Sequence, residues 1–392
     1  LVRDLLSTAR YVTLDDDGIR TALEADPYGQ LLLLSEEGRG SSRPIVLDEV
    51  QRLPEITLAL KRIVDAERRS GQFVLTGSSD IFSSGKVYDS LAGRVLTLTL
   101  RPLSAAEIAE QAPCRLLDVV SENPKDCMSA LPKPVAFTRS DAIDLILRGG
   151  FPEIRRLDDQ DRIHRYVSYL DSIVERDVAA IAEVRKQDAL RRLIDQLAIR
   201  TAEELNVSSL CSALVVRKET VNEYIDILSR LGIVHRLGAW TSSGAKREIK
   251  APKLHFLDTG CATALRAEES SSFGLTADPV ALGHLLESFV FIELEKSLPF
   301  LSKRWRLYHW RHEGREIDIV AEAPGKILAL LVMKAAVTVN AADFRHINWF
   351  FSEGPGKSNK GIGFVVYLGE NLLSIGAGRI ALPLSMLWSF RT

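Results

Sequence analysis

Cysteine is scarce in this chain of 392 residues: Cys114, Cys127, Cys211 and Cys261 stand far apart, with no metal-ligand spacing. That excludes a disulfide scaffold and a zinc knuckle, and reads as reduced thiols of a cytoplasmic protein. Charge of one sign is lacking too. With 50 Lys+Arg against 52 Asp+Glu, the formal net charge is -2. The whole chain therefore has no pull towards nucleic acid or an anionic membrane, and any basic surface must be local. No apolar run approaches the ~18 residues of a membrane span, so no membrane partner is expected; Ile327 to Val332 has the length of a strand. The N-terminus lacks the basic region and the apolar stretch of ~7–15 residues of a secretory signal. It also lacks an initiator methionine, which points to a start inside a longer gene product or at an unusual start codon.

What is present is 46% hydrophobic and 26% charged residues, the composition of a soluble globular protein, in a chain long enough for two or three domains. The most informative stretch is Pro44-Ile45-Val46-Leu47-Asp48-Glu49-Val50-Gln51-Arg52-Leu53-Pro54. Its unbroken β-forming run suits a strand buried on both faces of a parallel sheet, with Asp48 and Glu49 at the carboxyl end, where open α/β sheets bind ligands. Adjacent carboxylates repel unless a cation or a reacting water uses them. Asp48 holding Mg²⁺ and Glu49 orienting a water is one reading; Asp48 capping the helix that follows is the other.

With its surroundings, this stretch resembles the Walker B strand of an AAA+ ATPase of the P-loop class. It is particularly similar to a prokaryotic family with an AAA+ core, a winged helix and a C-terminal nuclease-like domain. The resemblance continues through Phe73-Val74-Leu75-Thr76-Gly77-Ser78-Ser79, Leu91-Ala92-Gly93-Arg94, Arg148-Gly149-Gly150-Phe151-Pro152-Glu153, Glu175-Arg176-Asp177 and Pro252-Lys253-Leu254-His255-Phe256-Leu257-Asp258-Thr259-Gly260. It implies ATP and Mg²⁺ as cofactors, with Asp48 on the metal and Glu49 activating water. Ser78, with Thr76 and Ser79 as alternatives, would position that water, and Arg94 would reach the γ-phosphate of a neighbouring subunit in a homo-oligomer. The phosphate loop G-x-x-x-x-G-K-[ST] is not in the sequence, and Gly38-Arg39-Gly40-Ser41-Ser42 precedes a strand instead of a helix. Nucleotide binding by this chain is expected to be weak or absent.

The expected fold class is α/β, in four parts. Residues 1–111 form an AAA+ core lacking its first strand and P-loop, closed by a last strand over Leu96 to Leu100. Residues 112–200 form an irregular connection, over about 112–140, and a helical lid. Residues 201–262 form a winged helix and residues 280–392 a PD-(D/E)xK restriction-endonuclease-like α/β domain. Asp15, Asp16 and Asp17 could invite a metal, but read more readily as a turn capping the next helix, and Ser104 with Glu107 reads as a capping box. In the helix-turn-helix, Val207 to Leu214 precedes a second helix opened by Arg217-Lys218-Glu219-Thr220, and the wing continues through Trp240 to Arg247. Arg217, Lys218, Thr220 and Asn222 would read DNA, and Lys246, Arg247, Lys250 and Lys253 would contact phosphates. Docking to a protein partner is the alternative.

The nuclease-like chemistry needs carboxylates that hold Mg²⁺ and a lysine that stabilises charge or activates water. Glu287, Asp318 and Lys334 match those positions, with Glu316 beside them, but Val332 stands where the motif has glutamate. A valine cannot coordinate Mg²⁺. The function expected is that of an ATP-binding AAA+ ATPase acting on duplex DNA or a protein partner, impaired in nucleotide binding. The alternatives are a non-catalytic DNA-binding or docking protein and a Mg²⁺-dependent nuclease.

Overall fold

The computed structural model describes residues 2–36, 43–67, 69–77, 91, 93–178, 187–242, 250–274 and 279–391. They fall into two compact units, Leu1–Leu100 and Arg101–Thr392. The first holds a parallel sheet in the order β1 (Arg10–Thr13), β2 (Ile45–Asp48), β3 (Phe73–Leu75). Ile45, Val46 and Leu47 are buried, as a central parallel strand demands. The helix Ile56–Glu67 lays Ile56, Ala59, Leu60 and Ile63 into the core at helical spacing. The helix Asp17–Ala25 begins where Asp16 accepts from the backbone N–H groups of Gly18 and Ile19, so the aspartate cluster is a cap.

The segment expected as a last strand over Leu96 to Leu100 is not one. It has no ladder partner among the described residues, and Leu96, Leu98 and Leu100 are 83%, 84% and 80% exposed. Alternating leucines supply only a face, and a strand needs a neighbour for its N–H and C=O groups.

In the second unit, Ser104 and Glu107 form the expected capping box on the short helix Ala105–Ile108. The expected irregular connection is partly helical, at Leu116–Glu122 and Cys127–Ala130, because Leu116, Leu117 and Val120 are buried. The helices Arg139–Arg148, Asp159–Ser172 and Gln187–Ile199 follow. The turn Arg148-Gly149-Gly150 is keyed to Asp258. Gly149 has φ +64°, and a Cβ there would lie 2.2 Å from Oδ1 of Asp258. The Gly150 N–H donates to Asp258 at 2.7 Å, Tyr166 donates its hydroxyl to the Arg148 carbonyl at 2.9 Å, and Asp258 caps the helix Thr259–Leu265. Two separated sequence motifs thus form one buried polar knot.

The helices Val207–Leu214 and Lys218–Arg230 lead into an antiparallel hairpin of β4 (Val234–Leu237) and β5 (Lys253–Phe256). A six-stranded sheet follows, in the order β10-β11-β9-β8-β7-β6. Its strands are β6 (Arg306–His312), β7 (Arg315–Ala323), β8 (Ile327–Lys334), β9 (Lys360–Tyr367), β10 (Leu373–Gly376) and β11 (Arg379–Pro383). Strands β8, β9 and β11 run parallel; β6, β7 and β10 pair antiparallel. The helix Pro279–Ser297 packs on β8 and is apolar around most of its girth, with Leu285, Leu286, Phe289, Val290 and Phe291 buried.

Just after β4, Ala239 and Trp240 lie against the six-stranded sheet, and residues 243–249 of the expected wing lie outside the described residues. Ala239 bridges His309 of the edge strand β6, the Trp240 N–H donates to the His309 carbonyl at 2.6 Å, and Trp240 is buried against Phe350. An apolar tryptophan and an open sheet edge satisfy each other there.

Candidate functional site

In the first unit, parallel pairing places Asp48 opposite Thr13 at the carboxyl end of β2. One Asp48 oxygen accepts from the Tyr11 hydroxyl and the other from the Thr76 hydroxyl. Backbone bonds hold the same corner: the Thr76 N–H donates to the Leu47 carbonyl at 2.9 Å, and the Val50 N–H to the Thr76 carbonyl at 3.1 Å. Glu49 lies in the left-handed region, φ 59°, which turns the chain out of the sheet, and Gln51 donates to its carboxylate. Burial, then the bond to Asp48 and its charge, raise the Tyr11 pKa, so the phenol stays a donor.

Thr76 is therefore the strand-end hydroxyl brought to Asp48; Ser78 lies outside the described residues. Arg94 forms an ion pair with Asp65 at 2.5 Å. Asp48 and Thr76 are oxygen donors of the kind Mg²⁺ takes. The backbone cradle for phosphates has no counterpart in the sequence, so these residues do not by themselves fit a Mg²⁺-nucleotide complex.

In the second unit, Glu287 of the long helix and Glu316 and Asp318 of β7 converge on Lys253 of β5. Nζ of Lys253 lies 2.6 Å from Glu287, 2.7 Å from Glu316 and 3.9 Å from Asp318, and the lysine side chain is only 3% exposed. The Met333 N–H donates to Asp318 at 2.7 Å. Lys334 is not in this cluster: it pairs with Asp343 at 2.5 Å. Among the described residues, no group of three or more His, Cys, Asp or Glu side chains is placed to hold a metal.

The charges sort themselves out within the cluster. Burial, then the charge of Asp318, push the Glu287 pKa well up, and burial raises that of Asp318. Burial would raise Glu316 as well, but the Lys253 ammonium, aided by Arg311, outweighs it and lowers the net value. Burial opposes the lysine's charge, but the carboxylates prevail and hold it protonated. Lys253 thus stays charged, Glu316 ionises more readily than an ordinary glutamate, and the carboxyl groups of Glu287 and Asp318 keep their protons to higher pH than usual. Burial and then Lys253 depress His255 well below the ordinary imidazole range and His309 to about 4, so both rings are neutral near pH 7.

Arg217 and Lys218 are exposed at the start of the helix Lys218–Arg230. Lys246 and Arg247 lie outside the described residues. Lys250 donates to the Arg311 carbonyl at 3.4 Å, and Lys253, expected on phosphates, is buried among carboxylates instead. Reading the sequence missed that role. Its signal was the alternation in Lys253-Leu254-His255-Phe256, a wholly buried strand with two polar residues on one face.

Compared with known proteins, residues 1–109 match an AAA domain, residues 139–272 a domain of unknown function (DUF8612), and residues 282–387 a domain of unknown function (DUF4143). An uncharacterized protein of Mycobacterium tuberculosis is 27% identical over 304 residues, covering 77% of this chain and 59% of that protein. An uncharacterized protein of Haemophilus influenzae is 24% identical over 335 residues, covering 82% and 73%. One of Methanocaldococcus jannaschii is 25% identical over 258 residues, covering 63% and 52%. The chain thus spans 59% of the length of its mycobacterial relative. No solved structure matches. No helix among the described residues is long and apolar enough to cross a membrane. The chain is similar to AAA domains over its N-terminal residues and to uncharacterized prokaryotic proteins over most of its length.

Proposed function

We propose that this chain carries the carboxylate half of an AAA-type ATP site, joined to a DNA- or partner-binding module without nuclease turnover. The observation that carries the proposal is Asp48 at the carboxyl end of the central parallel strand, held by the hydroxyls of Thr76 and Tyr11. That edge is where α/β sheets receive ligands. In this reading Asp48 is the metal-side carboxylate, Thr76 the polar strand end beside it, Glu49 the water-orienting carboxylate and Arg94 the arginine offered to a neighbour. The sequence holds no phosphate loop, so the proposal concerns the carboxylate half alone.

Four parts make up the proposed protein: an AAA+ core over 1–111, a connection and lid over 112–200, a winged helix over 201–262 and a nuclease-like domain over 280–392. The helices Val207–Leu214 and Lys218–Arg230 with the β4–β5 hairpin support the winged helix. The exposed Arg217 and Lys218 favour duplex DNA as its partner. Val332 in the ligand position and Lys334 bound to Asp343 argue against cleavage.

The test is ATP hydrolysis by a version extended upstream with a phosphate loop and its strand. Glu49→Gln should abolish turnover and retain nucleotide, while Asp48→Ala should lose Mg²⁺-dependent binding. Turnover that survives both changes would refute the assignment.

A further inference from the structure

Resemblance to PD-(D/E)xK nucleases assigns a divalent metal to Glu287 and Asp318, but the side chains of this protein do not fit one. The reason is a cation already in place. Lys253 reaches the carboxylates from β5, a strand of a different sheet, and its Nζ sits at 2.6 and 2.7 Å from Glu287 and Glu316. Those are charge-assisted hydrogen-bond lengths. Mg²⁺ would need the same oxygens at ~2.0–2.1 Å together with bound waters, in the space that the ammonium fills.

We propose that Lys253 is the resident cation of this pocket: it takes the place of the metal, and the carboxylates fasten the β4–β5 hairpin to the six-stranded sheet. Four observations agree. Lys253 and Glu287 have side chains only 3% and 7% exposed, so the lysine has no solvent-facing alternative without exposing the pocket. Val332 removes one expected ligand, and Lys334 has turned away to Asp343. The hairpin chain is pinned to the same sheet a second time, where the His309 N–H donates to the Gly238 carbonyl at 3.0 Å and the Trp240 N–H to the His309 carbonyl. The polar residues that follow on the lysine's face of β5 are also tied to the long helix, His255 through Ser288 at 3.1 Å. The nuclease-like pocket is therefore a strut that holds the recognition helices and the sheet as one piece.

The experiment is Mn²⁺ titration of the full chain by electron paramagnetic resonance, with thermal melting of variants. The wild type should bind no Mn²⁺ that Asp318→Asn removes, up to about 1 mM. Lys253→Met should lower the melting temperature by roughly 10 °C, because it leaves buried carboxylates without their counter-ion. Adding Glu287→Gln and Glu316→Gln, the two carboxyl groups nearest the lysine, to Lys253→Met should recover at least half of that loss. Should Lys253→Met fail to fold, folded protein from the triple variant reads the same way. The proposal is overturned by Asp318-dependent Mn²⁺ binding in the wild type, by a Lys253→Met shift under about 2 °C, or by no recovery in the triple variant.

Discussion

Nζ of Lys253 donates to Oε1 of Glu287 at 2.6 Å across the contact between a two-stranded hairpin and the long helix on the six-stranded sheet. Both side chains are buried. A buried lysine–carboxyl contact of this kind contributes little against a well-packed apolar pair, but removing the lysine costs several kcal/mol because it leaves the buried carboxyl groups without their cation. Its presence fixes which surfaces meet more than it adds to stability.

The two glutamates around Lys253 should therefore respond differently to neutralisation. Glu287 keeps its proton to higher pH, whereas the Lys253 ammonium outweighs burial at Glu316 and lowers its pKa. Glu287→Gln should cost about 1 kcal/mol or less, and Glu316→Gln about 2–3 kcal/mol. Urea unfolding midpoints at pH 7 measure both, and equal costs would contradict the charge assignment.

Stability should fall in acid partly through His309. Burial and the neighbouring lysine lower its pKa to about 4, against about 6.5 in an unfolded chain. The unfolded state takes up the proton first as pH falls. This residue's contribution is thus complete above pH 6.5 and is lost down to about pH 4, by up to about 3 kcal/mol. His309→Gln should make the decline over that window shallower, as read from denaturation midpoints at several pH values.

Gly149→Ala should destabilise the second unit by about 2 kcal/mol or more. The position has φ +64°, and the new Cβ would meet Asp258 at 2.2 Å and the Tyr166 hydroxyl at 2.6 Å. Thermal melting checks it. A neutral result would mean that the polar knot at Asp258 rearranges freely.

If the helix Lys218–Arg230 meets duplex DNA, its affinity should fall with salt. Removing two phosphate contacts with Arg217→Ala and Lys218→Ala should reduce the slope of log K against log salt by about 2. An unchanged slope in fluorescence anisotropy would place DNA elsewhere or nowhere on this surface.

Local patterns were legible in the sequence. The Ile45-Val46-Leu47 run gave a central strand, the Asp15–Asp17 cluster and Ser104 gave caps, and the two helices at Val207 and Arg217-Lys218 were readable as a helix-turn-helix pattern. Features that depend on a distant partner were not. Leu96 to Leu100 has the composition of a strand but no ladder partner among the described residues. Trp240 reads as part of a wing, and it covers the edge of β6; Lys253 reads as a phosphate contact, and three carboxylates, 34 to 65 residues further along the chain, close around it. Thr76 ranked behind Ser78 because strand-end hydroxyls cannot be told apart without the register that sets one beside Asp48.

The most direct measurement is calorimetric titration of ATP with Mg²⁺ into this chain and into a version extended upstream with a phosphate loop and its strand. The account predicts binding by the extended form, lost on Asp48→Ala, and none by the chain alone. Binding by neither, with both folded by circular dichroism, would contradict an ATP site built on Asp48 and leave a non-enzymatic binding module.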